Sequence, residues 1–364
     1  MHKGRLGLEM LNEVSIRYWI GRFISLNQGG TMAPVPAGIM AKVWQFSEAE
    51  ELFHLPFLDL LYSAQHVHRE NFPHNEVQLA MLLSVKTGGC PENCSYCPQS
   101  AHYDTGLRKE PVMHVEKVLE AAKRAVELGA TRFCIGAAWR GPRGKDLDIV
   151  CEMISRIKKL GLETCASLGL LSYEQAVSLK AAGLDFYNHN IDTSQEYYSK
   201  IITTRRFSDR IETLENVAKA GLKICSGGIL GMGESNEDRI KMLVELSHLS
   251  FPPESIPINK LIPIPGTPLA EKNAVDPLDF VRIIALARIM FPKSYVRLSA
   301  GRESMSDELQ TLCFIAGANS IFYGEKLLTS ANSDPESDEK LLLKLGLLRE
   351  KSKTAVDCSI NLGS

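Results

Sequence analysis

The pattern of apolar and polar residues repeats along the chain from Val77 onward. In each repeat, a segment with helical periodicity stops at a glycine, and a short run rich in strand-forming residues follows it. We interpret these glycines as residues that end helices, because glycine readily adopts the left-handed conformation found there. They are Gly129, Gly161, Gly183, Gly221 and Gly317, which open the runs "GATRFCIG", "GLETCASLG", "GLDFYNHNID", "GLKICSGGI" and "GANSIFYG".

Three further runs, "VQLAMLLSV", "SIPINKLIPI" and "SYVRLSAG", bring the number of candidate strands to about eight. Strands that alternate with helices in this way predict an α/β fold, and eight of them predict a (β/α)8 TIM-type barrel, here with an N-terminal helical extension. A doubly wound open sheet is the alternative, although no G-x-G-x-x-G turn follows any of the predicted strands.

The two ends of the chain lie outside this repeat. We expect residues 1–44 to form a flexible N-terminal extension, residues 45–330 to form the barrel, and residues 331–364 to form a C-terminal tail. Ser47 and Glu50 have the spacing of a capping box, which predicts the start of a helix. The acidic stretch "SANSDPESDEK" predicts a solvated linker to a last short helix around Leu341 to Leu348.

The composition excludes several classes of function. A net charge of −2 provides no basic surface for nucleic acid or an anionic membrane. The apolar stretch near the N-terminus is interrupted by Arg17 and Arg22, far short of the roughly 20 residues of a membrane span. The 9 cysteines are an odd set without the spacing of a disulfide-stabilised secreted domain. We therefore expect a cytoplasmic protein whose partners are small molecules or other proteins, and which binds neither nucleic acid nor a membrane.

A loop after the first predicted strand holds three cysteines, Cys90, Cys94 and Cys97, in "GGCPENCSYCPQS". In a barrel, this loop falls at the C-terminal face, where active sites are built. Three thiolates can bind a four-iron four-sulfur cluster and leave one iron open to an outside ligand. A structural zinc site is the alternative, but it needs a fourth ligand, and the nearest candidate, His102, lies five residues further on.

The spacing C-x3-C-x2-C, with Tyr96 before the last cysteine, resembles the hallmark of the radical S-adenosylmethionine (SAM) enzymes. The resemblance implies a 4Fe-4S cluster whose open iron is chelated by S-adenosyl-L-methionine, and it places Tyr96 beside this cofactor. In that family, one electron splits SAM into methionine and a 5′-deoxyadenosyl radical. The cofactor would then be the ligand that the three cysteines lack.

Further motifs between about Phe46 and Thr329 resemble one family within this group, the biotin synthases. They are "TRFCIGAAW", "FYNHNIDTS", "IITTR", "CSGGILGMGE", "YVRLSAGRE" and "GANSIFYGEKLLT". The resemblance implies a radical SAM sulfurtransferase that inserts sulfur into dethiobiotin to form biotin, the last step of biotin biosynthesis. It also implies a homodimer and an electron donor of the flavodoxin or ferredoxin type.

Three more cysteines, Cys134, Cys165 and Cys225, follow the helix-ending glycines by five, four and four residues. This spacing predicts a similar depth on three strands, at which the thiols can converge. The resemblance implies that these thiols and Arg297 bind a 2Fe-2S cluster that donates the sulfur. From the residues alone, Arg297 is better interpreted as a clamp for a substrate carboxylate, because a protonated guanidinium is an unusual metal ligand. Each cysteine taken singly is a small buried apolar residue.

The stretch "FYNHNID" has two faces if it is a strand: Asn188, Asn190 and Asp192 share one, and Tyr187, His189 and Ile191 share the other. The polar face predicts a wet cavity, and His189 is predicted to pack between strand and helix. The resemblance implies that Asn190 and Asp192 contact the SAM ribose, and that Asn188, Asn190 and Asn259 lie near the ureido ring of dethiobiotin. A loop or capping role is the alternative for Asn188.

The stretch "GGILGMGE" resembles the adenine-side motif of the family, in which glycines let the backbone approach the ring. The resemblance implies that Gly227, Ile229, Gly231 and Glu234 contact SAM. No side chain is assigned a catalytic role, because the radical forms at the cluster and cofactor.

Two alternatives to this function remain from the sequence. One is another radical SAM enzyme, of the hydrogenase maturation or methylornithine type, which Cys134, Cys165, Cys225 and Arg297 together disfavour. The other is a non-enzymatic zinc-binding module.

Overall fold

The computed structural model describes residues 42–324 and 326–351, and within them parallel strands form a closed barrel. The barrel strands are β1 (Glu76–Lys86), β2 (Arg132–Ala137), β3 (Glu163–Ser167), β4 (Phe186–Asn188), β5 (Lys223–Cys225), β6 (Gly228–Leu230), β7 (Ser255–Lys260), β8 (Tyr295–Leu298) and β9 (Ser320–Phe322). Neighbouring strands of the ring pair in parallel, and β1 pairs with β9 to close it. Both β5 and β6 pair with β7, so they occupy one of eight positions. The predicted (β/α)8 barrel is confirmed.

Helices cover the outside of this barrel. Two of them, α1 (Phe46–Phe53) and α2 (Phe57–Asn71), precede β1. The others are α3 (Val115–Glu127), α4 (Lys145–Lys158), α5 (Tyr173–Ala181), α6 (Gln195–Tyr198), α7 (Phe207–Lys219), α8 (Asn236–Ser247), α9 (Pro277–Met290), α10 (Asp307–Ile315) and α11 (Pro335–Leu345). The five glycines predicted to end helices all have φ between 75° and 98°, as that role requires.

The start of the ordered chain differs from the predicted capping box at Ser47 and Glu50. Helix α1 begins at Phe46, and the backbone N–H of Gln45 donates to Glu48 at 3.0 Å. Buried Trp44 anchors the chain just before this helix, because its ring nitrogen donates to the Met290 carbonyl at 3.3 Å. Of the predicted extension, residues 1–41 lie outside the described residues.

The acidic stretch near the C-terminus is not the solvated linker that its composition predicts. Asp334 caps α11, and Asp338 is buried in a bidentate ion pair with Arg302, at 2.6 Å for both contacts. After α11, a two-residue strand β10 (Leu348–Arg349) pairs with the start of β1. Composition alone missed this because a single buried carboxylate can dock a helix whose other charges face water. No described helix is long and apolar enough to cross a membrane.

Replacing Trp44 with alanine should lower the free energy of unfolding by about 3–5 kcal/mol, because a large buried ring is lost at the edge of the barrel. Neighbouring Val43 is 51% exposed and provides the control, since its replacement by alanine should change stability by less than about 0.5 kcal/mol. Urea denaturation measures both variants. Equal losses for the two would show that Trp44 does not anchor the chain.

Candidate functional site

A cavity of about 240 Å³ opens at the carboxyl ends of the barrel strands, where a barrel enzyme places its active site. It brings together many of the residues singled out in the sequence. The predicted residues among those that line it are Tyr96, Cys97, Cys134, Cys165, Asn188, Asn190, Asp192, Ile229, Asn259 and Arg297. The remaining predicted residues do not line this cavity: Cys90, Cys94, Cys225, Gly227, Gly231 and Glu234.

The segment Ile201–Arg205, which lies between α6 and α7 in the chain, holds the three-cysteine loop in place. Ser95 donates through its backbone and its hydroxyl to the Ile201 carbonyl, at 3.0 and 2.8 Å. The Asn93 amide donates to the Thr203 hydroxyl at 2.6 Å and accepts from the Thr203 backbone at 3.0 Å. The loop therefore has a defined conformation from protein contacts alone.

The thiols of this loop hold their protons tightly. Burial raises the pKa of Cys97 to about 12, and it also raises the pKa values of Cys90 and Cys94. Only a thiolate ligates a metal, so metal binding at this loop must displace protons. Among the residues that the structure describes, no three His, Cys, Asp or Glu side chains surround a single point as ligands of one ion would. The ligand role of the three cysteines therefore stays a prediction.

The three barrel cysteines meet inside the barrel, as their spacing predicts. Cys134 and Cys165 are direct register partners on β2 and β3, and Cys225 pairs with Asn188 across β4 and β5. All three thiols are buried in one small cluster that is separate from the main core. A hydrogen bond from Cys165 and the charges of Arg297 and Arg132 lower the pKa of Cys225 to about 5. The pKa of Cys165 is raised, because hydrogen bonding with Cys134 and Cys225, together with burial, favours its protonated form.

Two buried guanidinium groups flank these thiols. Arg297 donates to Ser320 Oγ at 2.9 Å and to Gln78 Oε1 at 3.0 Å, and no carboxylate pairs with it among the described residues. Arg132 donates to Glu163 Oε2 at 3.0 Å, and its second terminal nitrogen has no described partner. Our sequence reasoning missed Arg132. Strand alternation could have found it, since Arg132 lies two residues before Cys134 and faces the same side.

The polar residues of "FYNHNID" line the cavity together, but mostly from a loop. Strand β4 ends at Asn188, and Asp192 follows with a φ of 71°, which L residues rarely adopt. The Asn188 amide donates to Cys225 Sγ at 3.3 Å and to Asn190 Oδ1 at 3.3 Å. His189 is buried away from the cavity, and burial lowers its pKa, so its predicted packing role is confirmed.

Asp192 is held by two donors on the same carboxylate oxygen. The Tyr96 hydroxyl donates to Oδ2 at 2.8 Å, and Arg210 forms an ion pair with this oxygen. The other oxygen, Oδ1, keeps its capacity to accept hydrogen bonds. Arg210 also donates to the Asn190 carbonyl, so it fixes both residues that the sequence assigned to the ribose. Nothing in the sequence marks Arg210, because it reaches the site from α7.

The glycine-rich strand shapes the opposite wall. An alanine Cβ at Gly227 would lie 2.0 Å from the Pro257 carbonyl oxygen, so only glycine fits between β5 and β6. Asn259 accepts from the Ala300 backbone at 3.1 Å and donates to the Gly228 carbonyl at 2.9 Å. Its amide already has structural bonds, which sequence reasoning did not foresee.

Glu234 follows the glycine-rich segment and does not line the cavity. Its Oε1 accepts from the Gly231 backbone at 2.8 Å and from Arg239 at 2.6 Å. Its other oxygen is buried and has no partner among the described residues. Gly231 and Glu234 thus shape the turn rather than line the cavity.

Comparison with known proteins places this site in a family. Residues 84–247 match the Radical SAM superfamily, and residues 257–348 match the Biotin and Thiamin Synthesis associated domain. The biotin synthase of Rickettsia felis is 64% identical over 307 residues, which are 84% of this chain and 99% of that protein. The biotin synthase of Marinobacter nauticus is 58% identical over 308 residues, 85% of this chain and 88% of that protein. The chain belongs to the biotin synthase family.

Membership in the biotin synthase family confirms the function and enzyme class predicted from the sequence, a radical SAM sulfurtransferase that makes biotin. It implies a 4Fe-4S cluster and SAM as cofactors. Solved structures of more distant proteins share the fold. Methylornithine synthase aligns with a TM-score of 0.72 at 21% identity, over 85% of this chain and 94% of that one. The hydrogenase maturase HydG from Carboxydothermus hydrogenoformans aligns with a TM-score of 0.72 at 19% identity, over 92% and 80%.

Replacing Arg210 with methionine should cost about 3–5 kcal/mol of stability, because it leaves the buried Asp192 carboxylate without its cation. Adding Asp192→Asn should recover much of that loss, since the neutral amide needs no counter-charge. Arg206→Met is the control, because the Arg206 side chain is 83% exposed and pairs with Asp209 on the surface.

Urea denaturation of the single and double variants forms a double-mutant cycle. Additive losses for Arg210→Met and Asp192→Asn would show that the two side chains do not depend on each other.

Proposed function

We propose that Cys90, Cys94 and Cys97 bind the 4Fe-4S cluster of the family and that SAM occupies its fourth iron. The chemistry of the donors fits, because three thiols in one clamped loop supply three ligands and leave one iron open. When bound, this cluster supplies the electron that cleaves SAM. The protein's own task is to hold the cofactor beside the cavity, and the contacts of Asp192 support this role.

We further propose that Asn190 and Asp192 hold the SAM ribose. Tyr96 and Arg210 both donate to Asp192 Oδ2, so the carboxylate has one orientation and Oδ1 remains to accept a hydroxyl hydrogen bond. Ile229 lines the cavity and offers an apolar surface to an adenine ring. Gly227, Gly231 and Glu234 support that surface from behind. The fold already holds these groups in position before the cofactor binds, so binding does not have to order them.

The deeper residues support a second cluster, and we propose that Cys134, Cys165, Cys225 and Arg297 ligate a 2Fe-2S cluster. Three buried thiols gather at one depth, and Arg297 lies beside them without a carboxylate partner among the described residues. Two cationic groups, Arg297 and Arg132, would offset the negative charge of a thiolate-bound cluster in a low-dielectric interior. When bound, this cluster supplies the sulfur.

Dethiobiotin must lie between the two clusters, because its carbons have to meet both the radical and the sulfur. The lining of the cavity supports this position, because it includes Tyr96 and Cys97 of the loop together with Cys134, Cys165 and Arg297. Asn188, Asn190 and Asn259 present amides to the same space, which suits the donors and acceptors of a ureido ring. Asn188 also contacts Cys225, so it connects the substrate region to the deep thiols.

Other parts of the proposal rest on the family resemblance and on charge. They are a flavodoxin or ferredoxin-type electron donor, a homodimer, a cytoplasmic location, and the lack of nucleic-acid or membrane partners. The net charge of −2 supports the last of these.

Replacing Cys90, Cys94 or Cys97 with alanine should abolish cleavage of SAM, because two thiolates hardly retain a cluster with an open iron. The measurement is 5′-deoxyadenosine formed under a strong reductant. Cys151→Ala is the matched control, since this half-buried cysteine lies on α4 outside both proposed clusters. Undiminished product in any of the three loop variants would refute the ligand assignment.

Replacing Cys134, Cys165 or Cys225 with alanine should separate two activities. SAM cleavage should persist, because the loop that binds the upper cluster does not include these residues. Biotin formation should fall to background, because a substrate radical then has no sulfide to couple with. Quantifying both products in each reaction tests this, and biotin formation at the parent rate in all three variants would contradict the sulfur-donor role.

Arg297→Lys should lower the content of the proposed 2Fe-2S cluster less than the cysteine replacements do, since three thiolates still anchor the irons. The iron and sulfide content of the anaerobically reconstituted protein measures cluster retention.

A further inference from the structure

Arg205 is a buried arginine beside the three-cysteine loop. It ends the motif "IITTR", but our sequence reasoning assigned it no role. It is the last residue of the segment Ile201–Arg205 that clamps this loop, and its side chain is only 8% exposed. One terminal nitrogen lies 3.6 Å from Cys94 Sγ and donates a hydrogen bond to it. The Nε atom is buried and has no hydrogen-bond partner among the described residues.

The nearest carboxylate does not account for this burial. Glu92 Oε2 lies 3.9 Å from Arg205 Nε, beyond hydrogen-bond distance. Glu92 already has another cation, because Arg140 donates to its Oε1 at 2.8 Å, and Thr204 donates to Oε2. A buried guanidinium whose ion pair is this long, and whose carboxylate is shared with Arg140, is costly. The cost falls when the neighbouring thiol becomes a metal-bound thiolate.

Arg210, five residues further along the chain, differs from Arg205 in how its charge is paired. It forms a buried ion pair with Asp192 and donates to the Asn190 carbonyl, so its charge is met by the protein. Arg205 instead directs its hydrogen bond at sulfur. Its geometry suits a group that becomes more negative when an electron arrives.

We infer that Arg205 is a positioning residue that raises the reduction potential of the upper cluster through its hydrogen bond to Cys94. The inference rests on the proposed ligand role of Cys94. Reduction adds one negative charge to the cluster, and a fixed cation in a buried site stabilises the reduced form more than the oxidised form. Hydrogen bonds to cluster sulfurs act in the same direction. Arg205 therefore makes the electron that cleaves SAM easier to deliver.

A purely structural role for Arg205 makes a different prediction. If Arg205 only braces Glu92 and the loop, then removing Arg140, which binds the same carboxylate more closely, should have the same effect on the cluster. Arg140 donates to Glu92 and to the Thr204 carbonyl but not to Cys94, and 43% of its side chain is accessible. Arg205→Gln and Arg140→Gln thus form a matched pair, and surface-exposed Arg206→Gln controls for the loss of one positive charge.

The experiment measures the midpoint potential of the 4Fe-4S cluster in reconstituted holoenzyme, by redox titration followed with electron paramagnetic resonance. Arg205→Gln should make the cluster about tenfold harder to reduce, a shift of about 59 mV to more negative potential for one electron. Arg140→Gln and Arg206→Gln should stay close to the parent. Iron and sulfide analysis must show equal cluster content in all four proteins.

An unchanged potential in Arg205→Gln overturns the inference, and so does an equal shift in Arg140→Gln. If Arg205→Gln assembles no cluster, Arg205→Lys decides: its shorter side chain weakens the contact with sulfur, so a more negative potential supports the inference and a parent potential overturns it. Cys94→Ala tests the underlying assignment separately. If that variant holds a 4Fe-4S cluster at the parent potential, Cys94 is not a ligand, and the inference falls with it.

Discussion

The parallel register of the barrel is the constraint on which the rest of the site depends. Because β2 and β3 pair without a shift, Cys134 lies directly beside Cys165, and the next strands bring Cys225 against Asn188. A shift of one residue in any of these strands would turn a thiol from the interior toward the helices. Three thiols and two guanidinium groups can therefore share one buried layer only while the ring is closed. The buried thiols are costly to ionise alone, and the arginines supply the opposite charge.

Hydrogen bonds join this layer to the upper loop. Tyr96, next to Cys97, donates to Asp192, and Arg210 ties Asp192 to the Asn190 carbonyl. The Asn190 side chain accepts from Asn188, which in turn donates to Cys225 Sγ. A continuous chain of contacts thus runs from the loop to the deep thiols along one wall of the cavity. Such a wall fixes the distance between the two proposed clusters, and a substrate that must meet both needs that distance to be constant.

Local signals predicted most of this arrangement. The helix-ending glycines and the runs that follow them mark the strands, and counting from each glycine to the next cysteine predicts a common depth. Alternation predicted that Asn188, Asn190 and Asp192 face one cavity, although the strand itself ends at Asn188. What failed were features decided by distant contacts. The start of α1 depends on how Trp44 packs against α9, and the tail depends on the ion pair between Asp338 and Arg302. Arg205 contacts Cys94, 111 residues away in the chain, and Arg210 reaches Asp192 from α7; no local pattern marks either contact.

The central claim is that the cluster proposed at Cys134, Cys165 and Cys225 supplies the sulfur that enters biotin. The most direct test is a single turnover of holoenzyme whose clusters were reconstituted with heavy-isotope sulfide, in buffer that contains only unlabelled sulfur. Mass spectrometry of the product then reports where its sulfur came from. We predict that the biotin carries the heavy isotope in the parent and that Cys134→Ala, Cys165→Ala and Cys225→Ala yield no labelled biotin. Unlabelled biotin from the parent enzyme would contradict the account.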